Sequence, residues 1–322
     1  RKTIGIAAGR VQGISVGRGE PIEFELYPFR KDRRADSVPG NLNGRWEPMA
    51  YEYASESALD YLPCRYGQSK LLFRGPRKKM EGAYAAVLGG TETYGKFIAE
   101  PFPALVEAKI GLPVVNFGYM NAGADVFSSE PEIIDACSKA RITVIQIMGA
   151  QNMSNRFYAV HPRRNDRFLR ASSLMKTIFR EIDFTEFHFT RHMLSALKSV
   201  SEEKYAQVEG ELKTAWVARM RTLLQKINGK TVLLWITGES WDGGDGLGPD
   251  PLMVDADMVA SVRPFATELV CVKPSTESRM AGTEGMCFAP LEAPAAAVMP
   301  GPRVHEEVAD ALVPVIRRLL NS

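Results

Sequence analysis

The feature that most constrains the fold is a regular alternation of short apolar runs and helical patterns that begins near residue 80. Short apolar runs without polar alternation are typical of strands buried on both faces, as strands of a parallel sheet are. Five such runs occur, at 84–89, 112–118, 142–149, 231–236 and 269–272. Their alternation with helices predicts βαβ units and a doubly wound, flavodoxin-like parallel sheet of about five strands, in a three-layer α/β/α arrangement.

Helical patterns fill the intervals between these runs. We expect helices near 95–110, 131–140, 165–182, 186–228 with a break, 252–264 and 305–320. The clearest pattern has an apolar residue at every third or fourth position, which makes one apolar face. These residues are Tyr205, Val208, Leu212, Trp216, Met220, Leu223 and Ile227. Asn228 and Gly229 then supply a helix stop, and we interpret the stripe as core packing.

Residues 1–60 differ from the rest of the chain. Short apolar runs at 4–8 and 22–26 indicate two short strands, and 30–48 is charged, rich in Pro and Gly and without clear periodicity. We expect an extended N-terminal arm over residues 1–60 and one α/β domain over 61–322. Two alternatives stay open for the arm: it wraps the main domain or a neighbouring subunit of a homo-oligomer, or it is a partly mobile terminus.

Charge and composition bound the class of protein. The net charge of +2 points neither to nucleic acid nor to a membrane surface, and no apolar run approaches the ~20 residues that span a bilayer. Four widely spaced cysteines without a C-x-x-C pair are typical of reduced thiols. We therefore expect a cytoplasmic protein that binds neither nucleic acid nor membrane. Without a dinucleotide fingerprint, Walker loop or zinc motif, we expect no cofactor and no metal.

Polar loops follow the first three strands, at the edge where open α/β sheets bind ligands. In the first loop, two glycines precede Thr91, which is either a nucleophile or anion-binding group, or a helix cap. The second loop carries Asn121, an amide donor of the kind found in oxyanion holes or else a turn residue. The third groups the amides of Gln151, Asn152 and Asn155, which favours recognition of an anionic oxygen.

Together these loops resemble the sequence blocks of the SGNH (GDSL-type) hydrolases. Segment 89–95, G-G-T-E-T-Y-G, is similar to their G-D-S-x-T-x-G block, with a threonine at the serine nucleophile. Segment 116–118 resembles their N-x-G, with Asn121 at the position of the oxyanion glycine, and segment 149–152 is similar to their G-x-N-D. The blocks occur in order, about 30 residues apart. The resemblance covers 80–155 and, more weakly, 230–320.

The resemblance implies an ester hydrolase or acyltransferase with Thr91 as nucleophile. The Thr91 amide, Asn121, Gln151 and Asn152 would then form the oxyanion hole. The final D-x-x-H-P block of the family is altered, because Met299 stands at its catalytic histidine and Ala296 at its aspartate. The base would therefore be His305 or His161. The overall pattern also resembles an uncharacterised bacterial family of unknown function, which implies no chemistry.

A basic cluster follows the third loop, with five arginines in residues 156–170. We expect Arg163 and Arg164 to anchor the charge of an anionic substrate, because guanidinium groups grip phosphate, sulfate and carboxylate. The alternative is a surface network of ion pairs. The predicted substrate-binding residues are Gly90, Glu92, Tyr94, Gly123, Asn155, Arg156, His161, Arg163 and Arg164.

The sequence thus predicts an SGNH-like ester hydrolase or acyltransferase that acts on an anionic small molecule or glycan. The rival hypothesis is a protein of the same fold without the hydrolytic triad. It would bind an anionic ligand, such as a nucleotide, sulfate or phosphate compound, or transfer another group. Segment 235–250, rich in Gly and Asp, is expected to form a flexible lid over the site or an ordinary turn.

Overall fold

The computed structural model describes residues 59–237 and 245–322. Nearly all of the predicted N-terminal arm and the centre of the predicted lid lie outside the described residues, so the arm and its boundary stay predictions. A five-stranded sheet forms the centre of the described part, and a two-stranded hairpin stands apart from it. The sheet strands are β1 (Ala85–Gly89), β2 (Val114–Gly118), β3 (Ile142–Gln146), β6 (Thr231–Ile236) and β7 (Glu268–Val272). The hairpin strands are β4 (Tyr158–His161) and β5 (Arg164–Ala171).

All pairings within the five-stranded sheet are parallel, in the order β2-β1-β3-β6-β7. This is the flavodoxin-like order, in which the chain leaves β1 to one side and later returns to its other side. The predicted doubly wound sheet of five strands is confirmed. Its strands carry buried residues on both faces because helices cover both.

The helices lie between these strands and after the last of them. They are α1 (Thr91–Tyr94), α2 (Phe102–Ile110), α3 (Ala124–Ser128), α4 (Pro131–Lys139), α5 (Ser173–Ile178), α6 (Thr190–Val200), α7 (Glu202–Lys226), α8 (Ala256–Val262), α9 (Thr276–Met280), α10 (Ala293–Ala296) and α11 (Pro302–Asn321). Short 3-10 helices occupy Phe184–Glu186, Arg263–Phe265 and Pro290–Glu292.

Two apolar cores lie on opposite faces of the sheet. Along β1, Ala85 and Val87 belong to the core that α2 and α11 cover. Ala86 and Leu88 belong to the core covered by α3, α4 and α6 to α8. Because successive strand residues point to opposite faces, one continuous apolar run supplies both cores, which produces the three layers.

The predicted apolar stripe after residue 200 is confirmed as one face of α7, except that Ile227 directly follows the helix; all its members are buried. The side chain of Ser201 caps the helix by accepting the Lys204 N–H. On this face, the buried Trp216 donates its ring N–H to the Met148 carbonyl at 2.7 Å. The stripe therefore packs the core and also fixes the start of the loop after β3.

The prediction of a helix over 165–182 is wrong. Residues Arg164–Ala171 form β5, which pairs antiparallel with β4, and only Ser173–Ile178 are helical in this stretch. Arginine and leucine are good helix formers, so local composition favoured a helix. Pairing with β4 and burial of Asn165 and Phe168 determine the strand instead.

His305, on α11, connects the two helices of the second core. It is 2% exposed and its Nδ1 accepts the Phe102 backbone N–H at 3.0 Å. Phe102 is the first residue of α2, so this N–H has no partner inside its own helix. Burial, with a smaller contribution from Arg74, lowers the pKa of His305 to about 3, and the ring is neutral at pH 7.

This burial predicts a loss of stability in acid. The His305 pKa is lower in the folded chain than in the unfolded one, so the unfolded chain binds the additional proton as the pH falls below about 6.5. Stability from this residue is complete above that pH and lost on the way down to about pH 3. For His305→Asn, whose Oδ1 can still accept the Phe102 N–H, we expect the destabilisation between pH 7 and pH 4 to be smaller by about 3 kcal/mol.

The measurement is urea unfolding of wild type and variant at both pH values. The matched control is His192→Asn, because His192 is an exposed histidine on α6. An equal loss of stability in wild type and His305→Asn would contradict the prediction.

Candidate active site

A cavity of about 410 Å³ lies at the carboxyl edge of the sheet, where β1 and β3 are neighbours and the connections diverge. Its volume is in the range typical of small-molecule sites, ~300–1,000 Å³. The segments after β1, β2 and β3 form most of its wall. The end of β6, the hairpin, the start of α6 and residues 250–251 and 298–300 contribute the rest. This is the position at which open α/β sheets bind ligands.

The buried amide of Gln146, the last residue of β3, organises the loop after β1. Its Oε1 accepts the Gly90 N–H at 3.1 Å, and the N–H and hydroxyl of Thr93 at 3.2 and 2.5 Å. Its Nε2 donates to Glu92 Oε2 at 2.7 Å. Gln146 has no role assigned from the sequence, although an amide at the end of an apolar strand is a signal of this kind.

Two glycines permit the close approach of these loops. A Cβ on Gly89 would lie 2.0 Å from Thr93 Oγ1 and 2.5 Å from Gln146 Oε1. A Cβ on Gly123 would lie 1.8 Å from the Asn152 carbonyl oxygen. Any side chain at either position would therefore push the loops after β1, β2 and β3 apart.

Thr91 lines the cavity and is 7% exposed. Its Oγ1 accepts the Asn121 backbone N–H at 2.9 Å and donates to Asn121 Oδ1 at 3.3 Å. The Asn121 Nδ2 in turn donates to Asp166 Oδ2 at 3.4 Å. The N-cap of α1 is Gly90, so the Thr91 hydroxyl binds the second loop and does not cap the helix.

Asn152 and Gln151 have different roles in the third loop. The Asn152 Nδ2 donates to the Asn121 carbonyl at 3.0 Å, and its Oδ1 accepts the Thr190 hydroxyl at 2.8 Å. Both ends of this amide therefore connect the loop after β2 to α6. By contrast, Gln151 Oε1 is buried in the cavity wall and has no hydrogen-bond partner.

Three carboxyl groups line the cavity: Glu92, Asp166 and Asp250. Burial raises the pKa of Glu92, the Asp250 charge raises it further, and the hydrogen bond from Gln146 only partly opposes these effects. Burial also raises the pKa of Asp250, although Arg191 Nη1 donates to it at 3.0 Å. Carboxyl groups with raised pKa values are suited to proton transfer near neutral pH.

The structure brings together six of the predicted site residues. The cavity wall contains Gly90, Thr91, Glu92, Asn121, Gln151 and Asn152. The other predicted residues do not line it. They are Tyr94, Gly123, Asn155, Arg156, His161, Arg163, Arg164 and His305.

The basic cluster lies on the hairpin, outside the cavity. His161 Nδ1 accepts the backbone N–H groups of Arg163 and Arg164, both at 3.2 Å, and so stabilises the turn between β4 and β5. Arg156 pairs with Glu211 at 2.8 Å. Of residues 156–170, only Asp166 lines the cavity. The other residues of this segment lie outside its wall.

All four histidines of the chain are within the described residues, and none of them lines the cavity or donates a hydrogen bond to, or accepts one from, Thr91. His305 is bound to the Phe102 N–H and His161 to the hairpin turn. Among the described wall residues, the ionisable groups that can accept a proton are therefore the carboxyl groups of Glu92, Asp166 and Asp250.

Several wall residues were not assigned a site role from the sequence: Gln146, Asp166, Thr190, Arg191 and Asp250. Asp250 ends segment 235–250, for which the sequence predicts a lid over the site or an ordinary turn. Thr190 and Arg191 begin a helix that is remote in sequence from the strand ends, and no local signal marks them.

Two further findings concern metals and membranes. Across 59–237 and 245–322, no group of three or more His, Cys, Asp or Glu residues is placed to hold a metal ion. Among the helices in the same described ranges, none combines the length and the apolar character needed to cross a bilayer.

Comparison with known proteins gives a family but no activity. Residues 49–320 match the family described as a domain of unknown function (DUF6473), and no curated protein matches the chain. Among solved structures, the chain is similar to an alpha/beta hydrolase enzyme from the metagenome of Lake Arreo, Spain, with 15% identity, 75% of this chain and 97% of that chain covered, and a TM-score of 0.35.

The chain is also similar to a catalytic mutant of an acetylxylan esterase from Geobacillus stearothermophilus, with 15% identity, 75% and 95% coverage and a TM-score of 0.35. For a protein from Lactobacillus plantarum, the identity is 12%, the coverage 73% and 97%, and the TM-score 0.34. At these TM-scores no activity is transferable, so a functional inference has to come from the cavity itself.

The contacts of Gln146 predict a large loss of stability on Gln146→Leu. The variant leaves two buried N–H groups and the Glu92 carboxyl without their partner, so we expect the free energy of unfolding to fall by about 3 kcal/mol. Guanidinium unfolding measures this change. Gln225→Leu, on the exposed side of α7, is the matched control and should change stability by less than about 0.5 kcal/mol. Equal effects of the two substitutions would contradict the role of Gln146.

Proposed function

The chain is a member of the DUF6473 family, and we propose that it is an ester hydrolase or acyltransferase in which Thr91 is the nucleophile. The observation that carries this proposal is the position of the Thr91 hydroxyl. It lines a cavity at the carboxyl end of the first strand, and the Asn121 backbone N–H holds it in place at 2.9 Å. Amide and carboxyl groups surround it in the same wall.

The proposed reaction uses Glu92 as proton acceptor where a hydrolase of this type commonly uses histidine. Thr91 Oγ1 forms a bond to the acyl carbon, and its proton passes to the Glu92 carboxylate. The ester C–O bond then breaks, and the departing alcohol takes the proton from Glu92. Water, or a second alcohol in a transferase, releases the acyl group by the same steps in reverse order.

Glu92 suits this role for two reasons. It has no cationic partner among the described residues, and burial raises its pKa, which brings it closer to neutrality. Gln146 Nε2 orients the carboxyl by donating to its Oε2 at 2.7 Å. Asp250 is a weaker candidate because Arg191 already binds both of its oxygens.

Two donors are available to stabilise the negative oxygen of the intermediate. In the described part of the chain, the Thr91 backbone N–H and the Gln151 amide nitrogen donate to no other residue. The amides of Asn121 and Asn152 already hold the loops together, and we assign them a positioning role. Donors that are fixed before the reaction stabilise developing charge most effectively.

One observation favours the rival function, a protein that binds a ligand without cleaving it. The Thr91 hydroxyl donates to Asn121 Oδ1, and an amide oxygen at neutral pH does not accept a proton as a histidine nitrogen does. In this alternative, Thr91, Asn121 and Asp166 are a hydrogen-bonded ligand-binding row. The two functions make opposite predictions for substitutions at Thr91.

For Thr91→Ala, we expect a loss of about 100-fold or more in kcat/KM for hydrolysis of p-nitrophenyl acetate, because the attacking hydroxyl is absent. Thr91→Ser should keep most of the activity. The control is Thr214→Ala, since Thr214 is exposed on α7 and remote from the cavity wall. Full activity of Thr91→Ala would eliminate the nucleophile role, and absence of hydrolysis in wild type as well would favour the binding function.

For Glu92, the prediction concerns the dependence of rate on pH. A proton acceptor has to be ionised, so kcat/KM should rise as the pH passes the Glu92 pKa, which lies above the ordinary glutamate value of 4.5. Glu92→Gln should remove this rise and reduce kcat/KM about 100-fold. Rates measured from pH 4 to 9 test this, with Glu203→Gln on the exposed start of α7 as control. An unchanged pH profile in Glu92→Gln would assign the proton transfer to another group.

A further inference from the structure

One side of the cavity is formed by a stretch of chain without regular secondary structure, residues 245–252, which we call the wall segment. It contributes Asp250 and Pro251 to the cavity, and it belongs to none of the helices and strands given above. At its end, Leu252 is 1% exposed, and its carbonyl accepts the Ala150 N–H of the loop after β3 at 2.9 Å. The rest of the wall segment depends on contacts with α6 for its position.

Three polar side chains on one face of α6 bind the start of the wall segment. They are Arg191, Ser195 and Lys198, whose spacings of four and three residues place them on the same side of a helix. Arg191 Nε donates to Asp245 Oδ2 at 2.7 Å, and Ser195 Oγ donates to the Asp245 carbonyl at 2.8 Å. Lys198 Nζ donates to the Gly246 carbonyl at 2.6 Å. The start of the segment is thus bound to α6 through both side-chain and backbone groups.

Arg191 also binds the part of the segment that lines the cavity. Its Nη1 donates to both carboxyl oxygens of Asp250, at 3.0 and 3.1 Å. One planar guanidinium therefore connects two carboxylates that are five residues apart, a geometry that a lysine ammonium does not offer. All three side chains are partly buried. Without the cation, Asp245 and Asp250 would be two partly buried like charges, which disfavours this position of the segment.

We propose that Arg191 is a positioning residue: by pairing with Asp245 and Asp250 together, it holds residues 245–250 against α6 and so forms this side of the cavity. Without the Arg191 charge, residues 245–250 leave α6 and the cavity opens to solvent there. The proposal rests on the proposed function only in its effect on the kinetics of ester hydrolysis. The position of the wall segment does not require the reaction.

The test is amide hydrogen exchange of the full chain, measured without substrate by mass spectrometry. For Arg191→Gln we expect exchange of residues 245–250 to be faster by at least about 10-fold, with exchange of β3 unchanged. The matched control is Arg318→Gln, which removes the arginine ion pair with Glu268 at the amino end of β7, away from the cavity. Exchange of 245–250 at the wild-type rate in Arg191→Gln would overturn the proposal.

A charge-neutral variant separates charge pairing from simple packing of the Arg191 side chain. Adding Asp245→Asn and Asp250→Asn to Arg191→Gln removes the uncompensated charges, so exchange of 245–250 should return to within about 3-fold of wild type. Exchange as fast as in Arg191→Gln alone would refute the assignment. If Arg191→Gln does not fold, Arg191→Lys takes its place: it keeps the charge without the planar fork, and exchange of 245–250 should still exceed that of wild type.

Kinetics add a readout that a merely structural role would not move. Thr91 and Glu92 are held by Asn121 and Gln146, not by the wall segment, so Arg191→Gln should raise KM for p-nitrophenyl acetate by at least about 5-fold and change kcat by less than about 2-fold. A fall in kcat at unchanged KM would contradict the positioning role. If wild type does not hydrolyse the ester, the proposed hydrolase fails and hydrogen exchange alone decides the role of Arg191.

Discussion

The candidate site depends on one buried amide, that of Gln146. Its position at the end of β3, beside β1 in the parallel sheet, places the side chain under the turn that begins α1. One amide oxygen accepts three donors from that turn, and the amide nitrogen orients Glu92. The turn is too short for a stable helix of its own, so a partner in the adjacent strand has to hold its backbone.

A second feature of the site is the group that binds the Thr91 hydroxyl. In the structure, an asparagine lies between the Thr91 hydroxyl and the Asp166 carboxylate, where a histidine would complete a hydrolytic triad. An amide reproduces the hydrogen bonds of that arrangement but cannot carry its proton. If the cavity performs acyl transfer, proton transfer therefore has to involve carboxyl groups, and burial adjusts the pKa of Glu92 in the required direction.

The cavity also shows where the structure departs from full polar satisfaction. Asn152 uses both ends of its amide to connect the loops, whereas the neighbouring Gln151 leaves a buried oxygen without a partner. An isolated buried acceptor costs about 1–3 kcal/mol. An apolar side chain of similar size at this position would avoid that cost. Of these two consecutive residues, Asn152 holds the loops together, whereas Gln151 leaves an acceptor without a partner.

The sequence by itself determined the layers, the parallel sheet, the apolar face of α7 and the strand-end loops that form the cavity. Each of these follows from periodicity within one segment, because burial on one or two faces is recorded in neighbouring residues. Only the tertiary structure decided which distant groups meet. Residues 164–171 form strand β5 of the hairpin instead of the predicted helix. As a result, Asp166 lines the cavity and the arginines of 156–170 do not.

The tertiary structure also placed His305 against the Phe102 N–H, in the core on the α2 and α11 side of the sheet. These outcomes depend on packing between elements far apart in the chain, and local propensity carries no information about such contacts.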